Sequence, residues 1–398
     1  MAVDASSHGG PGAGHWAAVN RTTRTTRTTR TARRGRGQAR VARGLTALVL
    51  LLCSCTGDDP VAEPRQTHRL ADVECDLGSY GAGRWPSACW RPYGDASPFN
   101  APVPDDPRLA IGSDRMVEAM LGMGPVADLV VAPDTGSDWY HPVYFSSPTD
   151  PVHTVRCTRA WGTCEVEGLR VRVPDGARPA GGRDGHLAVV DQATGVEVDL
   201  WQAETPTPGG GTLTASWGGR TELTGDGLRS DATAAHFGLL AGVIRAAEME
   251  AGRIDHALFM TIGCTAHRYV YPANGLASDC EDEPDAPAVG QRFWLDMTDA
   301  EIDALDVPSW KRTILRALAD YGGYVGDTGG NESFGFQFES GSTYTSFGAE
   351  DPMAAFARAQ DDGVSARDGR YAFDLGSGVD WEGRLRALDP CVARGTCG

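Results

Sequence analysis

Seventeen residues, HLAVVDQATGVEVDLWQ at 186–202, constrain the fold more than any other stretch of the chain. They read as two strands, 186–191 and 196–202, joined by the turn Gln192-Ala193-Thr194-Gly195, whose last glycine supplies the left-handed backbone such turns need. Pairing Asp191 with Val196 sets Val190 opposite Glu197, Ala188 opposite Asp199 and His186 opposite Trp201. Strand side chains alternate between faces, so Leu187, Val189, Val196, Val198 and Leu200 make a core face. The other face carries His186, Ala188, Val190, Glu197, Asp199 and Trp201. An imidazole, two carboxylates and an indole over one small residue form a floor for a polar, ring-shaped ligand. The rival is a solvated outer face, because antiparallel sheets commonly keep one side wet.

The same period-two pattern recurs in short runs at 129–132, 143–146, 152–156, 169–173 and 212–217, and again at 254–261, 291–296, 324–326 and 334–339. Helical spacing interrupts it at 114–121, where Ser113 is the expected cap, and at 238–250, 310–321 and 351–360. Thr298 and Glu301 form a capping box for one more short helix. The expected fold is mainly β: an antiparallel β-sandwich or jelly-roll-like domain with several inserted helices.

The first 54 residues read as a signal region, with an Arg-Thr-Thr repeat at 21–30, basic residues to Arg43 and a short apolar run at 45–52. Val41 is an alternative start, because the stretch from there makes a complete signal of ordinary length. Leu52-Cys53-Ser54-Cys55 resembles the lipobox of bacterial lipoproteins, which implies a lipid on Cys55, a tether over 55–74 and a single disulfide-stabilised β-rich domain over 75–398. The chain is then exported and held to a membrane through its lipid only. Without residues 1–54 the protein keeps 27 basic and 52 acidic residues, a formal charge of −25. Such a surface repels nucleic acid. Eight cysteines follow Cys55, an even number that in an exported chain points to disulfides. The local solution pairs 75 with 89, 157 with 164, 264 with 280 and 391 with 397. Lys311 is the sole lysine and falls in what reads as an exposed helical turn, which disfavours Schiff-base chemistry.

Asp134-Thr135-Gly136 and Asp327-Thr328-Gly329 resemble the paired loops of pepsin-like aspartic peptidases. Pro133 and Gly326 stand where that family has apolar strand residues, so the match reads as chance. A broader resemblance rests on Gly185-His-Leu-Ala-Val-Val-Asp191 with Val198-Asp-Leu-Trp-Gln202, on Gly252-Arg-Ile-Asp-His-Ala-Leu258, and on Tyr321-Gly-Gly-Tyr-Val-Gly-Asp-Thr-Gly329. Together these are similar to motifs of exported bacterial proteins of unassigned function, and the resemblance implies polar residues at the positions of His186, Asp199, His256 and Asp327. The satisfied core histidine is the plainer reading of His256, which lies on an apolar stripe.

These residues suggest a carbohydrate-active enzyme, a glycoside hydrolase acting on a polysaccharide or oligosaccharide. In that reading Asp199 and Asp327 are the catalytic carboxylates, His186 and His256 position them, and Trp201 with Glu197 binds the sugar. The alternatives are a non-catalytic glycan-binding lipoprotein, a polysaccharide lyase and, last, an aspartic peptidase. No cofactor is expected. A divalent metal held by the histidines and aspartates is the weaker option, since no close His-x-His or His-x-x-x-His spacing occurs.

Overall fold

The hairpin forms in the register its alternation dictates, with Ala188 opposite Asp199 and Val190 opposite Glu197, in a computed structural model that describes residues 77–132, 136–278, 280, 283–330 and 332–397. In chain order the strands are β1 Leu129–Val131, β2 Val143–Ser146, β3 Val152–Cys157, β4 Arg170–Arg172, β5 Leu187–Asp191, β6 Val196–Trp201, β7 Gly211–Ala215 and β8 Trp217–Glu222. They continue as β9 Leu258–Ile262, β10 Arg292–Leu295, β11 Gly323–Thr328, β12 Phe334–Phe336, β13 Val364–Arg367, β14 Arg370–Phe373 and β15 Leu385–Ala387. Short helices are inserted between them, the longest at Ser113–Gly122 and Ser309–Asp320. The protein is therefore mainly β with inserted helices. Its strands form four sheets, ordered β2-β5-β6-β8, β4-β3-β7, β12-β9-β11-β10-β15 and β1-β14-β13. The pairs β2–β5, β3–β7 and β9–β11 are parallel, so pairing is mixed where a purely antiparallel arrangement was expected.

The hairpin is buried on both faces. Leu187, Val189, Val198 and Leu200 pack against Val155, Val171 and Leu213 of the β4-β3-β7 sheet. Ala188 and Val190 on the opposite face pack with Phe237, Leu239, Phe259 and Tyr324. Each fully buried side chain of this size contributes roughly 1.5–3 kcal/mol, which makes β5 a structural keel rather than a wet edge. A third core joins Met260 and Val325 of β9 and β11 to Trp310, Ile314 and Leu318 of the long helix.

Several local expectations need correction. The helix expected over 238–250 is confined to Ala246–Ala251. Gly242 sits at φ +71, and a Cβ there would lie 2.4 Å from the Phe259 amide, so the chain runs irregularly beside β9 before it can coil. Ser113 is the first helical residue and not the cap; its hydroxyl accepts from the Ala387 amide. Lys311 is buried, its ammonium 2.8 Å from the Ser377 carbonyl and over the Trp310 ring. The Thr298–Glu301 capping box forms as expected. The disulfides Cys157–Cys164, Cys264–Cys280 and Cys391–Cys397 are present. Cys75, Cys55, Val41 and the rest of the leader and tether lie outside the described residues, as does Asp134.

Candidate functional site

The polar face of the hairpin is not a floor open to solvent along its length. The segment 230–240 crosses it, and it can do so because β8 carries glycine opposite Asp199. A Cβ on Gly219 would lie 2.1 Å from the Asp231 amide. Ser230 then reaches Asp199 with a hydroxyl-to-carboxylate bond of 2.6 Å, while Tyr93 donates to Glu197 at 2.7 Å and the Leu240 amide donates to it at 2.9 Å. Glu197 and Asp199 are fully buried. Burial raises both, and the neighbouring Glu197 pushes Asp199 well above the usual carboxylate range. At Glu197 the Tyr93 hydroxyl and the Leu240 amide work against that rise, as hydrogen bonds to a carboxylate do. This corrects the expected roles. Asp199 and Glu197 lie beneath the floor, sealed from any ligand.

Only the end of the hairpin emerges. His186 and Trp201 line a cleft made of two lobes, one of about 520 Å³ and the other of about 380 Å³, which meet at Asp184, His186, Asp327 and Thr328. Asp327 arrives from β11 through a register irregularity between Val325 and Asp327 opposite β9. Such bulges re-aim a side chain, and here the carboxylate is turned into the cleft. Its Oδ1 accepts from the Thr328 amide at 2.7 Å. Burial, aided by the charge of Asp184, raises its pKa to about 6. His186 is 5 % exposed, and its Nδ1 has no hydrogen-bond partner. Burial lowers it to about 4. It stacks edge-on to His141, whose Nδ1 donates to the Leu239 carbonyl at 2.7 Å.

The smaller lobe is walled by indoles. Trp201 pairs across the strands with Trp217. Trp161 lies with its ring centre 5.6 Å from that of Trp201 and 5.7 Å from that of Trp217. It projects from the loop closed by Cys157–Cys164 and is 63 % exposed. Trp201 donates to Asp184 at 3.2 Å and Trp217 to Asp231 at 3.4 Å. Each indole is thereby fixed by a carboxylate at the cleft wall. The larger lobe adds Trp139, Tyr140, Asp128 and Glu332.

His256 is elsewhere. It precedes β9, is 3 % exposed and lines neither lobe. Its Nδ1 donates to the Ala257 carbonyl and its Nε2 lies 3.2 Å from Glu248, itself paired with Arg245 at 2.6 Å. Burial alone would raise Glu248, but Arg245 and His256 overcome it and hold the carboxyl at about 2. His256 is a satisfied core histidine, and the expected positioning role for it gives way to a buried ion-pair network. Among the described residues no group of three or more His, Cys, Asp or Glu is arranged to hold a metal ion.

Of the residues expected at the site, the cleft therefore collects His186, Asp327 and Trp201, and excludes Asp199, Glu197 and His256. Asp184, Trp161 and Trp217 went unread in the sequence. Asp184 stands two residues before His186, in phase with the polar face, and Trp161 sits inside a six-residue cysteine loop; both signals were available. Comparison with protein-family models, curated proteins and solved structures returns no match.

Proposed function

We propose that the cleft binds a saccharide chain and that the protein is a glycoside hydrolase. The observation that carries this reading is the meeting, at one point of a two-lobed cleft, of Asp327, Asp184 and His186 beside a wall of three tryptophans. Sugar rings present apolar C–H faces that stack on indoles, and their hydroxyls need fixed acceptors. Asp327, with its pKa raised to about 6, retains a proton for the glycosidic oxygen as the C–O bond breaks. Asp184 is the partner carboxyl group, held by the Trp201 N–H. It takes a proton from the water that attacks the anomeric carbon, or attacks that carbon itself. The anomer first released distinguishes the two. His186, neutral and buried, positions the junction between them. Pairing Asp327 with Asp184 replaces the earlier pairing with Asp199.

One observation favours a binding role without turnover: Asp184 and Asp231 are already engaged by indole N–H groups, as they would be if their task were to hold the aromatic wall. Screening the protein on a polysaccharide panel for new reducing ends decides the matter. Saccharide binding without reducing ends leaves the binding reading, an unsaturated product absorbing in the ultraviolet indicates a lyase, and an absence of any saccharide binding rejects both proposals. We further propose that the chain is exported and lipidated at Cys55, consistent with its formed disulfides. No helix among the described residues is long and apolar enough to cross a membrane. Mass spectrometry of the mature N-terminus, expected to find an acylated Cys55, tests this; an unmodified N-terminus elsewhere rejects it.

A further inference from the structure

The charge of the cleft narrows the saccharide. Its described lining includes the carboxyl groups of Asp128, Asp184, Asp231, Asp327 and Glu332, and not one arginine or lysine. Apart from Asp128, which feels the charge of Lys311, their partners are uncharged or weakly basic. Asp184 and Asp231 accept from indoles, Asp231 also lies 2.9 Å from His236, and Glu332 accepts from the Thr261 hydroxyl. Among the described residues none of the five forms an ion pair with arginine or lysine. The basic groups nearby are largely committed: Arg159 lies over the Trp161 ring, Arg370 donates to Ser137, and the buried Lys311 ammonium, held by the Ser377 carbonyl, divides its influence among Asp374, Asp128 and Asp362.

An uncharged glycan entering here would strip water from several carboxyl groups and return nothing ionic for it, which is costly. A polyanionic glycan would add repulsion. A sugar bearing an ammonium group supplies the missing charge, and the indole faces of the wall attract cations as well as C–H surfaces. A second feature points to a ligand independently of the charge: His186, which lines both lobes at their junction, is 95 % enclosed and its Nδ1 has no hydrogen-bond partner within the protein. Resting on the glycosidase reading above, we propose that the substrate is a cationic glycan, a polymer of hexosamine units with free amino groups, which lies across the junction with residues in both lobes.

Titration calorimetry at about pH 6 on the full-length protein tests this with three probes of equal length: the tetramers of glucosamine, N-acetylglucosamine and galacturonic acid. The glucosamine tetramer is expected to bind at least about tenfold more tightly than its N-acetylated counterpart, an advantage that shrinks in about 1 M salt, where charges are screened within roughly 3 Å. Asp128→Asn and Glu332→Gln, far from the Asp184–Asp327 junction in role, are each expected to cut the advantage about threefold, with circular dichroism checking the fold; either variant suffices if the other misfolds. Equal or tighter binding of the neutral or the acidic tetramer overturns the cationic substrate and leaves the glycosidase reading standing. Failure of all three tetramers to bind at millimolar concentration overturns both.

Discussion

The protein holds two pairs of carboxyl groups, Glu197 with Asp199 on one strand and Asp184 with Asp327 from distant parts of the chain, and they behave in opposite ways. The first pair lies under the 230–240 segment, where Tyr93 and the Leu240 amide bond to Glu197 and Ser230 bonds to Asp199. The second stands at the junction of the cleft lobes, with Asp327 half-buried and aimed at open space. Both contain a carboxyl whose proton is held more tightly than usual, and burial is the leading cause in both. A raised pKa is thus a poor guide to chemistry by itself. What separates a catalytic acid from a buried structural one is whether a ligand can reach it: Asp327 lines the cleft, and Asp199 does not.

Exchanging the pairs' protons for amides puts the largest strain on this contrast. Asp327→Asn is expected to lower turnover of the glycan found in the panel by about 10²–10⁴-fold, the usual worth of a general acid, whereas Asp199→Asn keeps turnover within about threefold because that side chain is fully buried and lines neither lobe. The reverse result would return Asp199 to the catalytic role and break the comparison. His256→Ala, which strips Glu248 of a buried partner, is expected to lose about 2–4 kcal/mol of stability in denaturant titration while saccharide affinity stays within about twofold. Loss of affinity without loss of stability would put His256 back at the site. Activity is expected to fall about tenfold per unit as pH rises above about 6, as Asp327 gives up its proton, and a profile flat to pH 8 removes it as the acid. Trp201→Ala and Trp161→Ala should each weaken binding about fivefold, in keeping with an aromatic contact worth about 1 kcal/mol; unaltered affinity would mean that the indole wall is not where sugar stacks. The smallest effect concerns pH and folding. Asp199 is held above its unfolded pKa, so its stabilising contribution is complete at pH below the ordinary carboxylate range and is lost as pH rises toward its folded value. The melting temperature should therefore fall as pH rises above the ordinary aspartate pKa of about 4, and Asp199→Asn should flatten that slope.

The hairpin was legible because its apolar and polar residues alternate without a break and its turn ends in glycine. Pairing, register and the shared face of His186, Asp199 and Trp201 all follow from that. What the alternation could not convey is what lies on top. The cover is an irregular segment, and the reason it fits is Gly219 in β8, a strand that continues past Trp217, where the expected one ended. The parallel partnership of β9 and β11 was equally hidden, since local pattern says nothing of which distant strand lies alongside. For the cleft, Asp327 was identifiable as a polar residue after a glycine-rich strand, but its orientation depends on one bulge. His256 shows the opposite failure: its apolar neighbours at Leu258 and Met260 already argued for burial, and Glu248 and Arg245 supply the partners that make it comfortable there.

The loop between Cys157 and Cys164 has a consequence for how the cleft would be used. Its indole is mostly bare, yet it is carried by a ring of chain too short to wander, so the wall is in place before any ligand arrives. Little motional freedom remains to be surrendered when a sugar settles against it. Cutting that sulfur link with a mild reductant would leave every atom of the wall present and free one third of it to drift.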